Sequence, residues 1–342
     1  MIFITGGGTG GHLAVAQAIK ESLNENGVKP IFVGSENGQD RAWFAKDFGF
    51  EDRIFLPTKG VMNRNIFGKI AGIFTVIRLV FRMRRILRMR DAKVVFSVGG
   101  YSAAPAAIAA VTLKIPLVIH EQNAVSGTLN TLMKPFAKRF YSSFDPDSES
   151  KDYPIKREFF DKARVRERIK AVIFLGGSQG AKAINDFALS VAPTLAAKKI
   201  KIIHQCGKGG LAECRAFYEA NKIEADLFDF DLNISDRVAE ADLAVARSGA
   251  GTLFELAANG LPALFIPYPY AMGNHQMANA KYLCQRELGW CIEQSRLSVE
   301  ALDNILPLDL SFISEALAKE IRVGGADFIA EKLYAIKKGR LP

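Results

Sequence analysis

The sequence predicts an α/β protein of two doubly wound, Rossmann-like domains facing a cleft. Three observations predict this class. The chain has 342 residues, 49% of them hydrophobic, which is ample for two cores. Short runs that are apolar throughout alternate with helical patterns, as parallel strands covered on both faces require. The pattern also starts twice, each time as an apolar strand, a glycine-rich turn and a helix: ITGGGTGGH at 4–12 and FLGGSQGA at 174–181.

Taken in order, the first half reads as strands at Ile2–Thr5, Pro30–Val33, Arg53–Leu56, Lys93–Val98 and Leu117–His120. Helical patterns fall near 13–26, 68–90, 102–113 and 126–136. Residues 144–158 (FDPDSESKDYPIKRE) are polar, contain two prolines and read as a connector. The second half gives strands at Ala171–Leu175, Lys201–Gln205, Asp226–Phe230, Leu243–Ala246 and Ala263–Ile266. The expected domains are 1–156 and 157–324, with an amphipathic helix from about 325 to the end packing back on the first. In such sheets ligands bind beyond the carboxyl ends of the strands, so the turns that follow strands are where chemistry is expected.

The formal net charge is +9, and it is localised. Residues 61–90 carry Arg64, Lys69, Arg78, Arg82, Arg84, Arg85, Arg88 and Arg90 and no acidic residue. Such a balance points to an acidic partner: nucleic acid, anionic lipid or phosphates. Apolar residues interleave with these arginines. One reading is a buried helix with solvated basic ends. The other is an apolar patch of Ile73, Phe74 and Ile77, rimmed by Arg78, Arg82 and Arg85, lying on anionic lipid. No apolar run reaches the roughly 18 residues a membrane span needs, and the N-terminal run is too short for a signal peptide. The four cysteines form no CxxC pair, so neither a zinc site nor a redox motif is expected; reduced thiols of a cytosolic protein are.

Six clusters follow strands. In Gly6–His12 the glycines let backbone approach a ligand, and helix N-terminal amides favour an anion. His12 at the mouth of this loop could take a proton from an attacking hydroxyl, or simply hold a structural hydrogen bond. Gly99–Pro105 is a second glycine turn. His120-Glu121-Gln122-Asn123 sets four polar residues at a strand end, a cluster that packing alone does not explain. Gly176–Ala181 offers Ser178 to a phosphate. Arg247–Glu255 is densest: small residues and Thr252 at a helix N-terminus suit a diphosphate, and Glu255 could accept two ribose hydroxyls or merely offset the helix dipole. Gly273–Ala280 presents Asn, His and Gln in a loop entering a helix, groups that suit a ligand rich in hydroxyls.

GGGTGGH, GGYSAAP, HEQN, GGSQGA, RSGAGTLFE with GLP, and NHQMANA occur in that order from Ile4 to about Ala280. Together they closely resemble the MurG family, bacterial transferases that convert lipid I to lipid II in cell-wall synthesis. The resemblance implies a GT-B glycosyltransferase fold. The implied activity is inverting transfer of N-acetylglucosamine from UDP-N-acetylglucosamine to the muramic-acid 4-hydroxyl of undecaprenyl-linked lipid I. It implies donor contacts from Ala250, Gly251 and Thr252, with Leu253 and Phe254 in the same turn, a ribose carboxylate at Glu255 and a phosphate contact at Ser178. Gln276, with His275 beside it, would read the sugar hydroxyls. Thr9, Gly10, Gly11 and Asn123 resemble residues closing on the donor from the first domain, and His12 the base or phosphate-side residue. It also implies a peripheral protein at the cytoplasmic face of the cell membrane, without a cofactor and without nucleic acid, with cell-wall synthesis or division proteins as conceivable partners.

Two stretches depart from the family pattern. Tyr153-Pro154-Ile155-Lys156 stands where the family has an arginine, so Lys156 keeps the charge and loses the bidentate fork. The stretch near Phe230 and Asp231 is only loosely similar to the uracil-binding one. Asp145-Pro146-Asp147 and Asp229-Phe230-Asp231 fit the metal-binding Asp-x-Asp spelling. The first lies in the connector and the second is short, so metal independence is expected, with amides and glycine loops holding the charge of the leaving group. The nearer alternatives are another GT-B UDP-sugar enzyme, a diacylglycerol glycosyltransferase or a UDP-sugar epimerase. A NAD-binding oxidoreductase would need an acidic residue ending the second strand, which runs into PIFVGSEN. A non-catalytic lipid- or nucleic-acid-binding protein would leave the second-half clusters unexplained.

Overall fold

A computed structural model of the chain describes residues 1–58, 66–177, 180–231 and 233–340, with backbone only for 66–71. It divides into two compact units. One comprises Met1–Gln122, Ser126–Ile155 and Gly324–Pro342; the other comprises Asn123–Val125 and Lys156–Val323. The segment Asn123–Val125, which the sequence assigns to the first domain, thus groups with the second.

The first unit holds a parallel six-stranded sheet: β1 (Ile2–Thr5), β2 (Ile31–Ser35), β3 (Asp52–Leu56), β4 (Val94–Ser97), β5 (Leu117–Glu121) and β6 (Arg139–Ser142). Its order is β3-β2-β1-β4-β5-β6. This is the doubly wound arrangement, with the order reversing between β1 and β4 and a crevice at their carboxyl ends. The central strands β1, β2, β4 and β5 are buried along their whole length, which is why they read as unbroken apolar runs. Phe3, Val33, Leu79, Met83, Val95 and Ile119 form the core of one face. The helix Gly325–Lys337 packs on the helix Gly10–Glu25 of the same unit. It is held there by an ion pair between Lys332 and Glu149 at 2.9 Å and an edge contact of Phe328 on Tyr141.

The second unit repeats the design with β7 (Ala171–Leu175), β8 (Lys201–Gln205), β9 (Asp226–Phe228), β10 (Leu243–Ala246), β11 (Ala263–Phe265) and β12 (Trp290–Cys291), all parallel. Its order, β12-β11-β10-β7-β8-β9, again reverses beside the first strand, between β7 and β10. Val172, Phe174, Val191, Ile202, Leu264 and Leu310 lie in its core.

The helix Ile66–Met89 resolves the two readings of the basic segment in favour of neither alone. Leu79, Val80, Met83 and Leu87 are buried against the first core, while Ile73, Phe74, Ile77 and Phe81 stand 54%, 68%, 47% and 68% exposed. Arg78, Arg82, Arg85 and Arg88 are exposed on the same helix. The 3.6-residue period therefore gives one buried stripe and one exposed stripe that is apolar and basic at once. Arg64 and the Lys69 side chain lie outside the described residues.

Candidate active site

In the first unit the loop after β1 is interlocked with the loop after β4. The Gly7 N–H donates to the Gly99 carbonyl at 3.3 Å. Gly100 has φ +80°, and a Cβ there would collide with the Gly7 carbonyl oxygen, so no other residue fits this approach. The helix Gly10–Glu25 begins behind Thr9, whose backbone is extended, as at an N-cap. Its hydroxyl makes no cap bond, although Thr at this position ordinarily accepts from a backbone N–H. It pairs instead with His12 Nδ1 at 2.6 Å. His12 is half-buried, and Gly10 and Gly11 line the turn between the two.

The polar cluster ending β5 is packed and hydrogen-bonded within the protein. His120 is buried, packs edge-on against Tyr153 at 5.4 Å, and has its pKa pushed down to about 3, first by burial and then by the nearby His12. It is neutral at physiological pH. Glu121 accepts from the Gly127 N–H and from Asn130 Nδ2, both at 2.9 Å. Gln122 donates to the Val98 carbonyl at 3.0 Å. Asn123 belongs to the second unit, where its Oδ1 accepts from Asn279 Nδ2 at 3.1 Å.

In the second unit β10 runs into Gly249, which caps the helix Ala250–Ala258 with extended backbone; among the described residues no side chain caps that N-terminus, and no acidic residue lies in its first turn. The N–H groups of Ala250, Gly251 and Thr252 are thus presented at the positive end of a helix dipole, an arrangement made for an anion. Leu253 and Phe254 are 0% and 1% exposed, so their side chains serve the core and only their backbone can reach a ligand. Glu255 is half-buried one turn along the helix. Burial raises its pKa from 4.5 to about 7, and the charge of Lys156 pulls it partly back. Lys156 itself caps the short helix Arg157–Asp161. Ser178 lies outside the described residues.

Three residues brace this turn. Ser248 Oγ donates to the Gln276 carbonyl at 2.8 Å, and Asn279 Nδ2 donates to the Ser248 carbonyl at 3.1 Å. Arg247 donates to the Ile266 and Pro267 carbonyls and to Gln294, with its guanidinium over the Tyr268 ring. These side chains anchor the turn to the loop after β11. At the start of the helix His275–Cys284 that follows this loop, Gln276 Oε1 accepts from the Tyr268 N–H at 2.9 Å, and His275 Nδ1 lies 2.9 Å from the Met272 carbonyl. Both side chains are tied to the segment that precedes their helix, which fixes their orientation.

Neither Asp-x-Asp spelling offers two unengaged carboxylates. Asp231 and Asp226 are both paired with Arg237, and Asp145 accepts from the Asp147 N–H in a turn. The described residues hold one cluster of metal-ligand type, His204, Cys206 and Cys214, buried in the second core. His204 already uses both ring nitrogens, on Tyr218 at 3.2 Å and Asn185 at 3.1 Å, so the trio is a satisfied core network.

Residues 2–142 match the glycosyltransferase family 28 N-terminal domain, and residues 171–330 match the glycosyltransferase family 28 C-terminal domain. The chain belongs to glycosyltransferase family 28. Within it, the chain is similar to a protein of Wolinella succinogenes named UDP-N-acetylglucosamine–N-acetylmuramyl-(pentapeptide) pyrophosphoryl-undecaprenol N-acetylglucosamine transferase. The two are 50% identical over 96% of this chain and 98% of the relative. A Campylobacter jejuni protein of the same name is 48% identical over 97% of this chain and 96% of its own length. Among solved structures, MurG of Acinetobacter baumannii superposes with a TM-score of 0.77 at 26% identity, covering 97% of this chain and 98% of that one. The family 28 match joins the two doubly wound units to a glycosyl-transfer function and removes the oxidoreductase reading.

Proposed function

We propose that this chain transfers N-acetylglucosamine from UDP-N-acetylglucosamine to the muramic-acid 4-hydroxyl of lipid I, with inversion, giving lipid II. The observation that carries the reading is the turn Gly249–Glu255: an uncapped helix N-terminus with a half-buried carboxylate one turn on and Lys156 beside it. That set matches the two polar features of a nucleoside diphosphate, a charged diphosphate and a ribose diol. The names of the relatives support the sugar and the acceptor.

In this reaction the acceptor oxygen attacks the anomeric carbon while the bond from that carbon to the UDP oxygen breaks. The transition state has oxocarbenium character. His12, oriented through Nδ1 by Thr9, takes the hydroxyl proton. The amides of Ala250–Thr252 and the Lys156 ammonium stabilise the negative charge that develops on UDP, so no metal is required. Gln276 and His275 read the sugar hydroxyls. A radiolabelled transfer assay on lipid I tests the reading, comparing UDP-N-acetylglucosamine with UDP-glucose and UDP-galactose. Transfer from the first donor, undiminished by EDTA, is expected. Preference for another donor overturns the assignment, and loss of activity in EDTA overturns metal independence.

The exposed stripe of the Ile66–Met89 helix is the proposed membrane face, on the cytoplasmic side where the nucleotide sugar is made. Apolar side chains gain about 1.5–3 kcal/mol each on full burial, and each arginine adds about 1 kcal/mol near an anionic surface. Changing Ile73, Phe74 and Ile77 together to serine is expected to release the protein from phosphatidylglycerol vesicles in a flotation assay while activity on a detergent-dispersed acceptor persists. Unaltered vesicle binding would remove the patch from the account.

A further inference from the structure

The first glycine loop is built around a carboxylate that nothing in the sequence singles out. Asp40 opens the short helix Asp40–Phe44 and is fully buried. Its Oδ1 accepts from the Gly8 N–H at 2.6 Å and its Oδ2 from the Ser35 N–H at 2.7 Å. A single side chain therefore ties the catalytic loop to the end of β2. The space around it has been cleared on both sides, because a Cβ at Gly7 or at Gly34 would run into the carboxylate. Burial raises the Asp40 pKa, and the Ser35 and Gly8 N–H groups draw it back.

A tight strand-to-helix turn needs no buried carboxylate, and taking one out of water costs several kcal/mol before its partners offset it. Here the shortest partners are two backbone amides, with the Ser102 side chain also contributing, and one of the amides belongs to the residue immediately before Thr9. Gly8 is gripped from its other side by Tyr101, whose ring lies where a Gly8 Cβ would be and whose hydroxyl donates to the Asn37 carbonyl at 3.0 Å. The next links are covalent and then polar: Gly8 to Thr9, and Thr9 Oγ1 to His12 Nδ1 at 2.6 Å. Because the Gly8 N–H points inward to Asp40, this loop does not offer that amide to a phosphate. Its geometry serves to aim a side chain.

We propose that Asp40 is a positioning residue for sugar transfer: by holding the Gly8 N–H it fixes Thr9, and through Thr9 the imidazole of His12. The proposal rests on the reading of His12 as the base for the acceptor hydroxyl. Asp40 touches no substrate and acts only through the loop.

The test is Asp40→Asn, which is nearly isosteric but sets an NH2 group against one of the two amide donors. Turnover is expected to fall roughly 10- to 100-fold, the cost of a misplaced catalytic group. KM for UDP-N-acetylglucosamine and UDP affinity, which belong to the other unit, should stay within about twofold. Asp40→Glu, which keeps two acceptor oxygens, should recover part of the lost turnover. The Gly8 amide proton, bonded to a carboxylate at 2.6 Å, should resonate far downfield in the wild-type NMR spectrum and lose that shift in Asp40→Asn. Unchanged turnover in Asp40→Asn overturns the proposal, as does a parallel loss of turnover and UDP affinity, which would mark a general folding lesion. If Asp40→Asn does not accumulate as folded protein, the wild-type spectrum decides, and an ordinary Gly8 shift overturns the proposal. A wild-type protein that transfers no sugar sinks the functional reading instead, and the Gly8 resonance still judges the loop by itself.

Discussion

Replacing His12 by alanine is expected to lower turnover by about 10²- to 10⁴-fold, the range that general-base catalysis contributes. UDP affinity should stay within about twofold if the imidazole serves the acceptor, as the proposed function has it. The expectation comes from how Thr9 is used. A threonine at a helix N-cap that forgoes the cap bond and pairs with a histidine three residues on is spending a stabilising interaction, ordinarily about 1 kcal/mol, on ring orientation. Thr9→Val should therefore reduce turnover as well, by less than His12→Ala. Steady-state kinetics alongside calorimetry with UDP separates the two effects. Full turnover in His12→Ala would assign the proton to another group and leave Thr9 and His12 as a structural pair.

The second large effect belongs to Glu255. If Glu255 is the ribose carboxylate of the proposed function, Glu255→Ala removes the acceptor for two ribose hydroxyls. Hydrogen bonds to a charged group are worth about 1.5–3 kcal/mol each, so nucleotide affinity should fall at least roughly tenfold. The raised pKa adds a pH signature. With a pKa of about 7 in the unliganded protein, the accepting carboxylate form is lost as pH falls through 7. Uridine affinity should then be about tenfold weaker at pH 6 than at pH 8, the ratio of ionised fractions for such a group. Uridine is the probe of choice because it carries no phosphate that titrates in this range. Glu255→Gln should flatten the profile. A pH-independent affinity in the wild type would place the ribose elsewhere.

Much of the fold was legible because buried parallel strands are apolar on both faces. Ile2–Thr5, Ala171–Leu175, Lys201–Gln205 and Leu243–Ala246 occur as strands with the bounds their composition suggests. The strands that escaped are the edge strands Arg139–Ser142 and Trp290–Cys291: one begins with a charged residue and is only half-buried at first, the other is two residues long, and neither makes an apolar run. The site divides in the same way. Glycine turns, His12 and Glu255 are candidates by residue type and place alone. The partners of His120-Glu121-Gln122, namely Tyr153, Gly127, Asn130 and Val98, are brought to it only by folding, so no sequence pattern shows them. Asp40 was invisible for the converse reason: its closest partners are the Gly8 and Ser35 backbone amides, which no side-chain pattern records. Phe81 completes the exposed stripe, and spacing alone does not place it there, because it does not say where a helix turns its other face to the core.

In the proposed function, backbone dipoles of the Gly249–Glu255 turn hold the diphosphate of a nucleotide sugar. A crystal structure with UDP tests it most directly. The account predicts phosphate oxygens within hydrogen-bond distance of the Ala250, Gly251 and Thr252 amides, with the ribose hydroxyls on Glu255. UDP bound at the Gly6–Gly11 loop of the first unit, with that turn vacant, would contradict it.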